Sequence, residues 1–207
     1  MKLYYAPGVC SLAPHIAARE AGIDLALEKV DLRKSPHRLS DGSDFTAINP
    51  KGYVPALQLD TGELLTEGVA ILQYLAHRAP QAQLMPAFGS DDYFRLQQWL
   101  TFISSELHKM FSPWLFHPEH GAQAAQVARD KLAERFTLLD RHLESRAFLV
   151  GDRFTIADAY CFTIVAWSRL TRIDLAPWPH LVAYMERIGV RPSVRAAMQA
   201  EGLKIAA

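Results

Sequence analysis

The sequence is poor in cysteine, in net charge and in long apolar runs, and each shortage excludes something. Only Cys10 and Cys161 occur among 207 residues. Two cysteines so far apart make no disulfide framework, and a reducing compartment such as the cytoplasm fits. Lys plus Arg and Asp plus Glu number 22 each, so formal charge sums to zero. A nucleic-acid surface or an anionic membrane would call for a basic patch. A small ligand fits better. The most apolar stretch, Ala157 to Trp167, is too short to span a bilayer. Pro7-Gly8 interrupts the N-terminal segment before a signal-peptide core could form. There is no Walker loop, no Gly-x-Gly-x-x-Gly, no Cys-x-x-Cys and no His/Cys cluster with metal spacing. His117, Glu119 and His120 lie close together, but in a Pro-containing, solvated stretch, so no metal site is expected. Internal repeats and low-complexity segments are also missing.

Half the residues are apolar, and the length suits two compact units. The first part mixes strands and helices. Leu3 to Tyr5 reads as a strand, Pro14 to Ala21 as a helix stopped by Gly22, and Leu27 to Leu32 as a second strand. The polar run Arg33 to Asp44 reads as a loop, and Phe45 to Ile48 as a helical turn. Ala56 to Leu59 and Leu64 to Thr66 flank Asp60-Thr61-Gly62-Glu63, a hairpin signature. Val69 to Ala76 is helical. The order β-α-β-α-β-β-α is that of a thioredoxin-like domain, placed at residues 1–78. Residues 79–90 hold Pro80 and Pro86 and read as a linker. Residues 91–207 read as all-helical. One helix runs from Leu96 to Trp114, another carries Leu132, Phe136, Leu139 and Leu143, and a buried one covers Ile156 to Leu170. Two shorter ones follow, near Leu181 to Ile188 and Ser193 to Ala200. The fold class is therefore α/β followed by all-α.

Five features could carry chemistry. Cys10 follows the breaker Ala6-Pro7-Gly8 and precedes a helix whose first turn holds Pro14. Free N–H groups and the helix dipole converge there and favour a thiolate or a bound anionic sulfur. A small Cys that merely packs is the even alternative. Val54-Pro55 opens the third strand; if that bond is cis, the backbone of Val54 could pair with a peptide-like ligand as an added strand. A trans proline at a strand entry is the plainer reading. Thr66-Glu67-Gly68 meets a helix start that could hold a carboxylate, with Glu67 accepting from an amino group, although an ordinary acidic first turn is favoured. Ser104-Ser105-Glu106-Leu107-His108-Lys109 puts a polar cluster into a helix otherwise patterned for burial, which suggests a cleft between the domains. A lone helical His such as His108 is more often structural. Thr155-Ile156-Ala157-Asp158 is a capping box, assigned to folding.

Taken together these stretches resemble the glutathione transferases, specifically the bacterial beta class. The likeness runs from Met1 to Leu203. It is carried by Lys2-Leu3-Tyr4-Tyr5, Pro7 to Leu12, Ile48-Asn49-Pro50-Lys51-Gly52, Val54-Pro55-Ala56-Leu57, Leu65 to Ile71, Glu106 to Lys109 and Phe154 to Tyr160. The resemblance implies a thioredoxin-like N-terminal domain, an all-helical C-terminal domain that forms the electrophile pocket and part of the interface, and a homodimer. Glutathione is the implied cosubstrate, with no prosthetic group. Cys10, Ser11 and His108 become the candidate catalytic residues, with Cys10 beside the glutathione sulfur and able to form a mixed disulfide with it. Val54 pairs with the cysteinyl backbone, and Pro55 is the family's cis proline. Glu67 and Gly68 hold the γ-glutamyl end, while Ser105 and Glu106 contribute from the helical domain. Three departures stand out. The family often has a Lys after strand two, where this loop offers Lys34, His37 and Arg38; His37 is taken as the candidate. Gly68 stands where many relatives have Ser, and Thr101 where many have Asn.

The implied reaction conjugates glutathione to a hydrophobic electrophile, whose pocket draws on Phe111, Trp114, Phe116 and Trp167. Only one or two of these four are expected to line it. Two rivals remain. One is a glutathione-dependent thiol-disulfide oxidoreductase or peroxidase using Cys10. The other is a non-catalytic protein that sequesters apolar ligands.

Overall fold

A computed structural model describes residues 1–204 of the chain. The residues divide into two units. One comprises Met1–Leu84 together with the C-terminal segment from Arg191, and the other is Met85–Val190.

The first unit is built on a five-stranded sheet in the order β3 (Arg38–Leu39), β2 (Ala26–Asp31), β1 (Lys2–Tyr5), β4 (Ala56–Gln58), β5 (Leu64–Thr66). Strand β1 (Lys2–Tyr5) lies parallel to β2 (Ala26–Asp31) and antiparallel to β4 (Ala56–Gln58), which pairs with β5 (Leu64–Thr66). The parallel pair needs a crossover, and α1 (Leu12–Glu20) supplies it. Gly22, with φ of 66°, closes α1. Its N–H and that of Ile23 bond the carbonyls of Arg19 and Ala18, a Schellman motif. Gly62, at φ 89°, turns the expected hairpin.

The expected polar loop Arg33 to Asp44 contains one more strand, β3 (Arg38–Leu39), with Leu39 opposite Val30. Leu39 packs beside Val30 and Phe45, and that apolar contact outweighs the polar composition around it. Phe45–Ala47 form the expected short turn as a 3-10 helix, capped by Asp44 accepting from the N–H of Thr46 at 2.8 Å. One side of the sheet gathers Leu3, Leu57, Ala18, Ile71 and Leu75, the last two from α2 (Gly68–Arg78). The other gathers Tyr4, Val30, Phe45, Val54 and Ala56.

The second unit is helical. It holds α3 (Asp91–Phe102), a π turn (Ile103–His108), α4 (Lys109–Phe111), α5 (Ala122–Leu143), α6 (Ile156–Val165), α7 (Trp167–Leu170) and α8 (Pro179–Gly189). Its interior includes Leu100, Leu107, Phe111, Leu132, Phe136, Ile164 and Tyr184, all without exposed surface. The helix expected from Leu96 to Trp114 is therefore three pieces, ending at Phe111 before Pro113, which cannot continue it. The helix expected from Ile156 to Leu170 breaks at Ala166. Its capping box is as expected: Asp158 accepts from the N–H of Thr155 at 2.8 Å, and Thr155 caps in return.

The last helix, α9 (Pro192–Ala200), corrects the expected division at residues 91–207, whose last three positions lie outside the described residues. It packs on α1 in the first unit. Polar ties explain this: Arg191 and Ser193 both donate to Glu20, and Glu201 bonds His15. The first unit also runs past residue 78, through a 3-10 turn at Pro80–Ala82, to Leu84.

Candidate functional site

In the first unit three loops bring the expected residues together. After β1 the chain turns through Gly8, at φ 72°, and reaches Cys10, two residues before α1 begins. Cys10 is half-buried, and its Sγ donates to the Val54 carbonyl at 3.2 Å. That contact uses the thiol proton. A thiolate there would give up that bond.

The Val54 loop is built by Asn49, a buried side chain whose amide donates to the Tyr53 carbonyl at 2.7 Å. The Gly52 N–H bonds the Asn49 carbonyl at 2.8 Å, and Gly52 adopts φ of 72°, which a side chain would resist. His37 bonds the Gly52 carbonyl through Nδ1 at 2.8 Å, so its ring braces this loop. The Val54-Pro55 bond is cis. At the start of α2, Glu67 adopts φ 71°, unusual for a residue with a Cβ. Lys51 donates to Glu67 at 2.7 Å and to Thr66 Oγ1 at 3.0 Å. Sequence reasoning noted Lys51 only as part of a motif, yet its ammonium rests on the carboxylate proposed to receive an amino group. A Cβ on Gly68 would meet only Pro55, at an ordinary 3.7 Å, so a serine fits that position.

Ser11 is turned into the protein interior. It has no exposed surface, and its hydroxyl is engaged twice with Ala6, accepting from the N–H and donating to the carbonyl, each at 3.2 Å. It staples the Cys10 loop, and its expected catalytic role is withdrawn. Two residues that the sequence reading passed over support the same loop. Glu201 accepts from the Gly8 N–H at 2.9 Å and bonds the buried His15 at 2.9 Å. The available signal was an acid at position 201 continuing the buried Val194 and Ala197 stripe.

In the second unit the polar cluster occupies the π turn, a feature often found at functional sites. Ser104 and Ser105 both donate to the Thr101 carbonyl, at 3.0 and 2.9 Å. Glu106 accepts from two guanidinium nitrogens of Arg135, at 2.7 and 3.1 Å. His108 Nδ1 lies 2.8 Å from the Tyr160 hydroxyl, and its ring meets the edge of Trp167 at 5.0 Å between centroids. Burial, with Lys109 adding to it, pushes the His108 pKa down to about 4, so the ring is neutral near pH 7. The four aromatic candidates divide. Trp114 and Phe116 are exposed, Trp167 is nearly covered, and Phe111 is fully buried against Phe136 and Trp167. Phe111 belongs to the core and is removed as a pocket wall. The sequence pattern could not make that distinction, because a buried face and a ligand face are both apolar.

Cys161, by contrast, is inert. Full burial and the nearby Asp158 push its pKa well up. No group of three or more His, Cys, Asp or Glu suited to a metal occurs among the described residues.

Family models match both parts of the chain: "Glutathione S-transferase, N-terminal domain" over residues 9–78 and "Glutathione S-transferase, C-terminal domain" over residues 98–192. Glutathione S-transferase GstA of Escherichia coli O157:H7 is 46% identical over 204 residues, covering 99% of this chain and all of that protein. The chain belongs to the glutathione S-transferase family. A bacterial beta class glutathione S-transferase from Sphingomonas chungbukensis superposes with a TM-score of 0.93 at 44% identity, covering 99% of this chain and all of the other. A sphingomonad glutathione S-transferase solved with glutathione gives 0.92 at 45%, with the same coverage. The resemblance, the fold class and the enzyme assignment read from the sequence are borne out. Among the described residues no helix is long and apolar enough to cross a membrane.

Proposed function

We propose that this chain conjugates reduced glutathione to hydrophobic electrophiles, with Cys10 next to the glutathione sulfur. The observation that carries this reading is the 3.2 Å hydrogen bond from Cys10 to the Val54 carbonyl. It brings the thiol loop and the cis-proline loop to one place in the first unit. A tripeptide paired with the Val54 backbone as an added strand would present its central cysteine there. Glu67 and the α2 N-terminus receive the γ-glutamyl ammonium and carboxylate. Lys51 already occupies Glu67 with an ammonium, so binding exchanges one cation for another. Ser105, Glu106 and Thr101 serve glutathione from the second unit, and His108 serves its sulfur. Trp114 and Phe116 offer the electrophile apolar surface, with Trp167 packed behind Phe116. The likeness to a relative solved with glutathione supports the cosubstrate.

In the reaction the glutathione S–H gives its proton to solvent, sulfur forms a bond to an electrophilic carbon, and the leaving group departs with its electron pair. The protein's task is to stabilise the sulfur anion and to hold the carbon beside it. The chain works without a prosthetic group, as a homodimer in the cytoplasm.

A second reading also has an observation behind it. Cys10 is an accessible thiol, and thiols exchange with disulfides. Attack of the Cys10 thiolate on glutathione disulfide would form a mixed disulfide and release one glutathione thiolate. The Cys10→Ala variant separates the two activities. Conjugation of an aryl halide should persist within about tenfold, because the other donors remain, while disulfide exchange disappears. Loss of both would show that the cysteine also carries conjugation. Retention on a glutathione matrix without turnover of any aryl halide, epoxide or peroxide would favour a binding protein.

A further inference from the structure

His108 is the one imidazole of the proposed machinery in the second unit, and a second residue sets its geometry there. Tyr160, on the buried helix α6, places its hydroxyl 2.8 Å from His108 Nδ1. Its ring stands edge-on to the imidazole, at 86° between planes and 6.0 Å between centroids. Trp167 closes the ring from another direction, also edge-on. The imidazole is thus held by one hydrogen bond and two aromatic contacts. Nε2 has no hydrogen-bond partner among the described residues.

Which group donates follows from acid strength. A phenol is a better donor than a neutral imidazole N–H, and an imidazole nitrogen is a better acceptor than a phenol oxygen. The polarity is therefore O–H to Nδ1, which leaves the proton of the neutral ring on Nε2. We infer that Tyr160 is a positioning residue that locks His108 as the Nε2–H tautomer, making it a fixed neutral donor rather than a base or a cation. This rests on the glutathione transferase reading for its purpose but not for its geometry.

The consequence is specific. A neutral donor can hydrogen-bond a sulfur anion or the oxygen of a polar electrophile without taking the proton. The tyrosine hydroxyl acts through the ring, much as a second partner on a metal-bound histidine fixes which nitrogen is presented. The charged group acting on the ring is Lys109, the next residue, at the start of α4, which further disfavours a cationic ring.

The test is nitrogen-15 NMR of histidine-labelled full-length protein, with His108 assigned by its loss in His108→Gln. The wild-type chain should show the Nε2–H pattern at pH 7 and keep it down to pH 5. In Tyr160→Phe the two nitrogens should move toward a tautomer mixture. Turnover with glutathione and an aryl halide should fall about threefold to tenfold, with the KM for glutathione changed less than twofold. A merely structural tyrosine would not alter the tautomer. An Nδ1–H pattern in the wild-type chain, or an unchanged pattern in a folded Tyr160→Phe, overturns the inference. The wild-type spectrum decides even if that variant does not fold. If the tautomer is as stated but no turnover is found, the transferase reading fails and the positioning stands. If turnover is found with the tautomer reversed, only the positioning fails.

Discussion

Acid lability is written into His108. Its pKa is pushed down to about 4 by burial, against about 6.5 for a histidine in an unfolded chain. Between those values the unfolded chain takes a proton that the folded one refuses. Stability is therefore fully present above about pH 6.5 and falls as pH drops toward 4. The shift corresponds to about 3 kcal/mol. Urea unfolding of the wild type and of His108→Gln, at pH 7.5 and 4.5, isolates this from the carboxylates. The wild type should lose more stability on acidification, and equal losses would contradict the assignment. Cys10, Val54 and Glu67 were legible at this scale because each sits at a strand-to-helix or loop-to-strand junction marked by Gly or Pro. Ser11 was misread because adjacency to Cys10 says nothing about where a hydroxyl points. Its two bonds to Ala6 come from the turn geometry, which the residue types alone do not fix.

The start of α6 shows an element whose sequence signal and structure agree. Asp158 is fully buried and accepts from the N–H groups of Leu149 and Thr155 and the hydroxyls of Thr155 and Tyr184, at 2.8–3.0 Å. The capping box was visible as Thr-x-x-Asp; the ties to Leu149 and Tyr184 were not, because they join segments distant in sequence. Thr155→Ala should cost about 1–2 kcal/mol, since Asp158 keeps its other donors. Asp158→Ala should cost more, because it leaves buried donors unpaired. Thermal unfolding checks the order of the two, and an exposed-site response from Asp158→Ala, within about 0.5 kcal/mol, would contradict it. The π turn is the opposite case. Its residues betrayed a polar interruption, but a widened turn has no residue signature, so Ile103–His108 read as ordinary helix.

At the scale of the whole chain, sequence order misled where the fold returns on itself. The mixed first part and the helical remainder were legible from hydrophobic period, but the last helix was assigned by neighbourhood. It belongs with α1 because the buried Glu201 meets His15 and the Gly8 N–H there. Removing that carboxylate strips both of their shared partner. Glu201→Ala should lower stability by about 2–4 kcal/mol and loosen the loop that carries Cys10. A lowered melting temperature with a raised KM for glutathione is the expected result. An unchanged melting temperature would mean the tie is idle.

Crystals of the full-length chain grown with reduced glutathione test the central claim most directly. The tripeptide should lie along the Val54 backbone, with hydrogen bonds to its N–H and carbonyl, its γ-glutamyl end at Glu67 and Gly68, and its sulfur in contact with Cys10. Glutathione bound away from Val54, or bound there with its sulfur turned from Cys10, would contradict the account.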